Sequence, residues 1–582
     1  MKSALFASSL AVGSALTGPL DSYLKESVPY ASTRIENAIN TDSGVGGTNV
    51  ATVDNIAGNN EAALSTGVGG TPDDWCPNYQ YSWLRDQALV MSTIMDKYAS
   101  SAAGSDDSSK YEEVLKGYAS NAHQVYDMND NPLWFNEEGR PWSHAEAKYE
   151  LNGQMFTGGW CSPQNDGPAL RSVVLMRFAN KYAELHPSDT AYIRENLYSN
   201  STDVGVKNPI KRDLEFLFNK PQLVATNPDR YTGYWDSDNC EPWEEVSGKH
   251  FYNRLMARRA MVRGAQFATE QGDAGAGDAY ASAVADITSA VDSHWNPSLN
   301  TIMPTNNENR YDDIQTVFAS LHSHAEDDNY FVATDSKVLA NAYYTLNSFR
   351  DYYNINNIGF NSSPLNLGLA LGRYTGDVYN GGCNYDSSVC PQPCSGQPWF
   401  LATNAMGELI YKAVALWKSS SIEIDSTNKN FFEYFNIKYS TGRYAQGSSE
   451  HTAMLTVLIH AADSFVQRTQ YHTNDIYRLD EQYNQDTGAM MSAGDLVWSY
   501  ASLVTASGAR DTVNPAATFA ALNAGASSVL QEFVISDYDM IADSSKPILR
   551  VVGNTASLGN GDACAAGFDD RTPTKRRCGA NG

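Results

Sequence analysis

The 582-residue sequence lacks a long hydrophobic run beyond its first residues, and it is poor in basic side chains. No later stretch approaches the roughly 20 uninterrupted apolar residues that a transmembrane helix needs, so we expect no membrane span. Lys and Arg total 41 against 67 Asp and Glu, which gives a formal net charge of -26. This surplus of carboxylates argues against nucleic acid as a partner, because phosphates require cations. A neutral ligand is the better expectation.

The sequence also lacks the cysteine spacing of a zinc site. Cys383, Cys390 and Cys394 lie close together, but they form no Cys-x-x-Cys pair and no His is nearby. We therefore expect no metal. The even number of cysteines suits disulfides in an oxidising compartment and leaves their pairing open. The eight are Cys76, Cys161, Cys240, Cys383, Cys390, Cys394, Cys564 and Cys578.

The first 18 residues have the pattern of a secretory signal peptide. Lys2 precedes an apolar run from Ala4 to Val12, and small residues follow. A buried N-terminal helix is the alternative, but it accounts less well for Lys2 and the small residues. The pattern predicts a secreted, extracellular protein, and sequons at Asn200 and Asn361 are consistent with N-glycosylation.

Apolar residues recur with a helical period in many segments, which predicts a mainly helical chain. Several of these helices begin directly after loops rich in Trp, Gly and Pro. Asp86 and Asp166 are predicted to cap two of them. A third predicted helix opens at 398–400 and runs to about Trp417, and a fourth opens at 492–495 and runs to about Ala506.

If successive helices pack as antiparallel pairs, the loops at their starts gather at one end of the molecule. The simplest prediction is a helical barrel with one functional rim, although periodicity alone does not establish that the barrel closes. Residues 529–582 differ, because they contain short β-like apolar runs and no Trp. They predict a small β-containing appendage.

Two glutamate loops carry candidate catalytic carboxylates. Glycosidic-bond hydrolysis needs one protonated carboxyl beside the leaving oxygen and one carboxylate for the nucleophile or its water. Adjacent Glu244 and Glu245 cannot point in the same direction, so one could face the bond while the other binds hydroxyls. A solvated helix start is the ordinary alternative for such a pair. Glu481 lies in a second acidic turn, whose signal by itself is weaker.

Four tryptophans lie in the loops at helix starts, where their flat faces could pack on sugar rings; burial in the core is the alternative. Arg85-Asp86 and Arg373-Tyr374 could likewise bind vicinal hydroxyls, or serve only as salt-bridge anchors. The four tryptophans are Trp83, Trp160, Trp243 and Trp399.

Taken in order, these loops resemble glycoside hydrolase family 15, the fungal glucoamylases. The resemblance extends from about residue 20 to 515 and rests on six ordered motifs, so it is far more specific than any single motif. The motifs are residues 78–86 (NYQYSWLRD), 160–171 (WCSPQNDGPALR), 243–246 (WEEV), 372–374 (GRY), 398–401 (PWFL), and 481–483 (EQY) together with 492–500 (SAGDLVWSY).

The resemblance implies an all-α catalytic domain over residues 19–515, built as an (α/α)6 barrel with a pocket at one end. It implies an enzyme that acts on starch and maltooligosaccharides, releasing glucose from chain ends with inversion and without metal or cofactor. We expect a monomer, although the sequence itself carries no signal of oligomeric state. By position, Glu244 is the general acid and Glu481 the general base. An inverting mechanism places such carboxyl groups roughly 6.5 to 9.5 Å apart.

The same correspondence assigns further residues to substrate binding. Arg85, Asp86, Glu245 and Arg373 would hydrogen-bond the first two sugars. The walls of the pocket would be Tyr79, Trp83, Trp160, Trp243 and Trp399.

The sequence departs from the family pattern at several points. Cys161-Ser162 replaces a common Gly-Arg, Glu241-Pro242 precedes Trp243 where Asp and an apolar residue are usual, the 381–397 loop is long, and Gly494 replaces a common Arg. These departures affect the expectation for subsites beyond the first two sugars.

Within the C-terminal tail, residues 516–582, the segments 548–554 and 557–559 faintly resemble the start of a starch-binding domain. The tail lacks the tryptophan platforms of such a domain, so we expect no working starch-binding module and weak action on raw granules. Two alternatives stay open. One is an inverting α/α-barrel hydrolase of another glucoside, such as trehalose or dextran. The other is an inactive glucan-binding protein.

Overall fold

The structure, a computed structural model, describes residues 19–40, 52–53, 79, 81–129, 145–150, 153–200, 208–218, 234–306, 309–324, 328–358, 367–381, 396–473 and 477–513. Within these ranges, none of the helices combines the length and the apolar character that crossing a bilayer requires. The predicted signal peptide, the C-terminal β appendage, Asn361 and six of the eight cysteines lie outside the described residues.

Helices dominate the described part of the chain, and we number them in chain order. They are α1 (Pro19–Asn37), α2 (Leu84–Ser100), α3 (Asp106–Asn129), α4 (Asp166–Leu185), α5 (Thr190–Asn196), α6 (Pro209–Phe218), α7 (Phe251–Glu270), α8 (Ala274–Asp292), α9 (Gln315–Ser323), α10 (Ser336–Phe349), α11 (Phe400–Trp417), α12 (Lys429–Tyr434), α13 (Ser449–His472) and α14 (Val497–Val513).

Six of these helices form a closed inner ring. Helix α2 packs against α4, α4 against α7, α7 against α9, α9 against α11, α11 against α14, and α14 returns to α2. Each inner helix also packs against an outer helix. The inner–outer pairs are α2 with α3, α4 with α6, α7 with α8, α9 with α10, α11 with α13, and α14 with α1. This double ring confirms the (α/α)6 barrel implied by the sequence.

The burial pattern of each helix explains its layer. In inner helix α11 nearly every residue is buried, as expected for a helix surrounded by protein. In outer helix α8 the buried residues are confined to one stripe, with a spacing of three or four positions. That stripe consists of Gly277, Tyr280, Ala283, Ile287 and Val291.

Short antiparallel strand pairs shape the loops between helices. The strand pairs are β1 (Ile39–Asn40) with β2 (Thr52–Val53), β3 (Tyr81–Trp83) with β4 (Lys148–Glu150), β5 (Asn239–Cys240) with β6 (Ser247–Gly248), β7 (Trp295–Asn296) with β8 (Thr301–Ile302), β9 (Ile422–Ile424) with β10 (Gly442–Tyr444), and β11 (Gln482–Tyr483) with β12 (Met490–Met491). Three of these pairs, β3–β4, β5–β6 and β11–β12, carry or adjoin predicted site residues.

Candidate active site

The N-terminal ends of the six inner helices meet at one end of the barrel, which we call the rim. Arg85 at the start of α2 lies 3.5 Å from Asp166 at the start of α4. Trp243, in the loop before α7, donates from Nε1 to Asp313, just before α9. Its ring also contacts those of Trp399 and Trp498, at the starts of α11 and α14. The predicted gathering of loops at one rim is therefore observed.

Glu244 lies at the tip of the β5–β6 hairpin, with a left-handed φ of 66° that is uncommon for a residue with a side chain. Its Oε2 accepts hydrogen bonds from Nε1 of Trp160 at 2.6 Å and of Trp83 at 3.4 Å. Its Oε1 accepts from Nη2 of Arg85 at 3.2 Å. Three donors from two other loops therefore converge on this carboxylate.

Glu481 immediately precedes β11 and is 2% exposed. Its Oε1 accepts from the Tyr79 hydroxyl at 2.7 Å, and its Oε2 accepts from the hydroxyls of Tyr379, at 3.2 Å, and Ser492. Burial raises the pKa of Glu481 to about 7, while the hydroxyl donors and the charge of Arg373 oppose that rise because they favour the ionised form.

A short aromatic path connects the two carboxylates. Tyr79 donates to Glu481 and packs its ring against Trp83, with ring centroids 5.3 Å apart. Trp83 in turn donates to Glu244. The structure thus brings Glu244 and Glu481, separated by more than 200 positions in the sequence, to the same part of the rim.

The acidic residues that flank Arg85 do not cap helices, contrary to the sequence prediction. The cap positions of α2 and α4 are Trp83 and Asn165, and neither makes a side-chain cap bond. Asp86 and Asp166 instead lie inside the first turns of these helices, beyond the cap positions, and within 3.5 Å of the Arg85 guanidinium. Burial raises the pKa of Asp86 to about 6, with Arg85 opposing the shift.

Glu245 faces a different set of partners from its neighbour. Its Oε1 accepts from Nη2 of Arg373 at 2.6 Å, and its Oε2 accepts from the Tyr374 hydroxyl at 2.7 Å and from Nη1 of Arg310 at 3.0 Å. Although burial acts in the other direction, Arg373, Tyr374 and Arg310 together hold the pKa of Glu245 below its ordinary value. The adjacent glutamates therefore have different partners: Glu244 accepts from two indoles and Arg85, whereas Glu245 accepts from two arginines and a tyrosine.

Aromatic rings line the rest of this region. Trp399 packs against Trp243 and against Tyr379, with centroids 5.8 Å apart in each case. The Arg373 guanidinium lies 4.9 Å from the Tyr379 ring centroid and forms two hydrogen bonds to Asp377. Trp83, Trp243 and Trp399 are buried, whereas Trp160 is 44% exposed.

Several rim residues were not identified from the sequence. Tyr379 and Ser492 contact Glu481; no local pattern marks Tyr379, and Ser492 lies in the last motif but was given no role. Glu146 is buried, accepts from the Ser162 hydroxyl at 2.6 Å, and burial raises its pKa to about 7. Lys148 lies opposite Trp83 in the β3–β4 register, with Nζ 3.4 Å from the Trp160 ring centroid. The strand pairing, which the sequence did not predict, brings these two residues to the rim.

Gly494, where the family pattern has Arg, leaves space for the side chain of Arg478. A Cβ at this position would collide with the guanidinium of Arg478, whose Nε donates to Asp480 at 2.6 Å. A positive charge is therefore present beside the residue that precedes Glu481, although it comes from a different position in the chain.

One disulfide is present in the described residues, between Cys161 and Cys240. This pairing was left open by the sequence. Asn200, the first residue of one sequon, is exposed at the edge of a described segment. Across the described ranges no group of three or more His, Cys, Asp or Glu residues is arranged to hold a metal ion.

Several proteins of known activity are similar to this chain in sequence. Similar sequences include the glucoamylase of Blastobotrys adeninivorans, 35% identical over 445 residues, and glucoamylase 1 of Rhizopus oryzae, 30% identical over 443 residues. Each alignment covers 75% of this chain and 65% of the relative. The chain thus spans just under two thirds of the length of these relatives.

Solved structures give the same grouping. The glucoamylase of Saccharomycopsis fibuligera superposes with a TM-score of 0.68 at 26% identity, covering 85% of this chain and 96% of that chain. The family 15 glucoamylase of Hypocrea jecorina gives 0.65 at 25% identity, covering 85% and 73%. The profile of glycosyl hydrolases family 15 matches residues 44–508, most of the sequence. This chain therefore belongs to glycosyl hydrolases family 15.

Proposed function

We propose that this chain is an exo-acting glucoamylase that releases β-glucose from the non-reducing ends of starch and maltooligosaccharides, cleaving α-1,4 bonds and, more slowly, α-1,6 bonds. The observation that supports it best is the pair of glutamates held at one rim by the Tyr79–Trp83 path. Glucoamylases among the relatives point to the same substrate class.

In this mechanism Glu244 protonates the leaving glycosidic oxygen and Glu481 takes a proton from the attacking water. Water attacks the anomeric carbon on the face opposite the leaving group, so configuration inverts. The two carboxyls supply both proton transfers, so the chemistry needs no cofactor. Hydroxyl donors from Tyr79, Tyr379 and Ser492 favour the ionised form of Glu481 that the base requires.

The remaining rim residues would bind the sugars. Arg85 and Asp86 provide a buried donor and acceptor beside Glu244, and Arg373 and Glu245 provide a second pair. The apolar faces of the sugar rings would pack against the aromatic walls. These walls are Tyr79, Trp83, Trp160, Trp243 and Trp399.

Proton NMR of the anomeric signals during maltoheptaose digestion tests this function directly. β-Glucose appearing first and alone, before mutarotation, is the expected result. Early α-glucose or internal fragments would contradict the mechanism. Faster release from trehalose or dextran would indicate another glucoside as the substrate, and no release from any of them would favour an inactive binding protein.

Variants test the roles of the two glutamates. We expect Glu244→Gln and Glu481→Gln each to lower kcat by about 10²- to 10⁴-fold, the usual contribution of a general acid or base. Glu184→Gln, at an exposed position of α4, is the control and should keep wild-type activity. Unchanged glucose release by Glu244→Gln would refute the acid assignment.

We also propose that residues 1–18 are a signal peptide, that the secreted protein is a monomer glycosylated at Asn200 and Asn361, and that residues 19–515 form the catalytic domain. Residues 516–582 would then be a tail without starch-binding activity. N-terminal sequencing of protein from the culture medium tests the first point. Tight adsorption of the purified protein to raw starch granules would refute the last.

A further inference from the structure

The Cys161–Cys240 disulfide joins the two loops that meet at Glu244. Cys161 directly follows Trp160, whose indole donates to Glu244 at 2.6 Å. Cys240 ends β5, in the hairpin whose tip carries Glu244. A backbone hydrogen bond from Cys240 N to Pro163 O, at 2.8 Å, ties the same two loops a second time.

The hairpin side of this link is firmly attached to the barrel. Asn253, in the first turn of α7, donates to the carbonyl oxygen of Cys240 at 2.8 Å. Glu241 is fully buried, and its carboxylate accepts from the backbone N–H groups of Glu245 and Val246. The β5–β6 hairpin therefore presents Glu244 from a fixed base.

The Trp160 side is held much less by packing. Trp160 is 44% exposed, whereas the other three rim tryptophans are each 7% exposed or less. An edge contact with Phe156 and the ammonium of Lys148 over its ring keep this indole near the rim. A displacement of about 1 Å would lengthen a bond of this kind beyond hydrogen-bonding range.

We propose that the Cys161–Cys240 disulfide is a positioning element for catalysis, which holds the Trp160 indole N–H on the Glu244 carboxyl and thereby orients the acid. This inference rests on the proposed function, in which Glu244 is the general acid. The physical basis is that the disulfide at Cys161 limits the motion of the neighbouring residue, Trp160. The Trp160 side chain is exposed and has a single N–H, which must stay within hydrogen-bonding distance of Glu244 Oε2.

A double-mutant cycle tests whether the disulfide acts through Trp160. The four proteins are the wild type, Cys161→Ala/Cys240→Ala, Trp160→Phe, and the triple variant. The kcat and KM on maltoheptaose are measured well below the lowest melting temperature among them. Loss of one hydrogen bond to a charged group predicts a fall in kcat of about tenfold for the alanine pair and for Trp160→Phe.

The triple variant decides the question. If the disulfide acts through the Trp160–Glu244 hydrogen bond, the triple variant has about the same kcat as Trp160→Phe, because the bond can be lost only once. If the two losses multiply, or if the alanine pair keeps wild-type kcat and only melts earlier, the disulfide is merely structural and the inference is wrong. Inactive wild-type protein would instead refute the proposed function itself.

Two further measurements complete the test. Trp295→Phe, at a half-buried tryptophan of β7 that is not among the residues assigned to the site, should keep wild-type kcat, and removing the disulfide in that background should still lower it about tenfold. If the alanine pair does not fold, Cys161→Ser/Cys240→Ser takes its place in the cycle. Peptide mapping of the non-reduced wild type must find Cys161 linked to Cys240, and free thiols at both positions would overturn the inference.

Discussion

The hydroxyl of Ser492 is one of the groups that favour ionisation of Glu481. It donates to Glu481 Oε2, and such a bond favours the charged carboxylate, so it opposes the upward pKa shift caused by burial. Ser492→Ala should therefore raise the pKa of Glu481 further. Because Glu481 must be ionised to act as the proposed base, the rising acidic limb of the kcat/KM profile should move to higher pH, by about one unit.

The control for this experiment is Ser464→Ala, which removes another buried hydroxyl, one that donates to the Ala461 carbonyl within α13. Its pH profile should match that of the wild type. A shift of the acidic limb to lower pH in Ser492→Ala, or no shift, would mean that Glu481 does not define this limb.

Glu146 should make the folded state less stable as the pH rises. Burial raises its pKa to about 7, so the folded state holds this proton more strongly than the unfolded chain, where Glu titrates near 4.3. Stability then falls as pH rises from about 4.5 through 7, by about 3 kcal/mol. Urea unfolding of Glu146→Gln at pH 4.5 and pH 8 should lack this fall, and an identical fall in wild type and variant would contradict the prediction. Glu113→Gln, at an exposed position, is the control and should change stability by less than about 0.5 kcal/mol at either pH.

Single residues of the site could be identified from the sequence where they lie in an ordered motif. Glu244, Glu245 and Arg373 were predicted in this way, and the structure places all three at the rim. Tyr379 and Glu146 were not, because their partners come from distant strands and loops and no short pattern encodes such contacts. The pairing of Cys161 with Cys240 likewise depends on two loops meeting in space.

Among the elements, the start of a helix was predicted well where no residue with a left-handed φ precedes it. The prediction of a helix opening at 398–400 and running to Trp417 matches α11. The helix predicted to open at 492–495 begins only at Val497, because Ser492 and Asp495 both have left-handed φ values that a helix cannot contain. It also continues past Ala506 to Val513, where Arg510 bonds Asp463 and Asp21 of neighbouring helices.

A buried ion pair connects α4 to α6 and should be important for stability. Arg171 donates to both carboxylate oxygens of Asp213 at 2.9 and 2.7 Å, and both residues are 1% exposed or less. Asp213→Ala leaves an uncompensated buried guanidinium, so we expect the free energy of unfolding to fall by about 3–5 kcal/mol. Chemical denaturation measures the change.

The exposed pair Lys181–Glu184 on the same helix provides the comparison. Glu184→Ala should change the free energy of unfolding by less than about 0.5 kcal/mol, since exposed ion pairs contribute little. Equal effects of the two substitutions would contradict the assignment of Asp213 as a structural counter-ion.

At the scale of the whole molecule, helical periodicity predicted many helices but not the closed ring. Closure depends on contacts between α14 and α2, which are separated by most of the catalytic region. Such contacts leave no period in the sequence, and the resemblance to a known family supplied the barrel instead. The concentration of charged and aromatic side chains at one rim then follows from the arrangement of the inner helices.

The net charge of -26 should affect stability and catalysis differently. Mutual repulsion of carboxylates destabilises the compact state at neutral pH, and about 0.1 M salt screens it beyond about 10 Å. Raising NaCl from 10 to 200 mM at pH 7 should therefore increase Tm by a few degrees, and the effect should shrink near pH 4.5 as carboxylates protonate.

By contrast, kcat/KM for maltoheptaose should change by less than about twofold, because a neutral substrate is not steered by the protein's field. Thermal scans and initial rates over the same salt series check both expectations, and a fall of kcat/KM for maltoheptaose by about tenfold or more would contradict the expectation that the protein's field plays no part in binding this substrate.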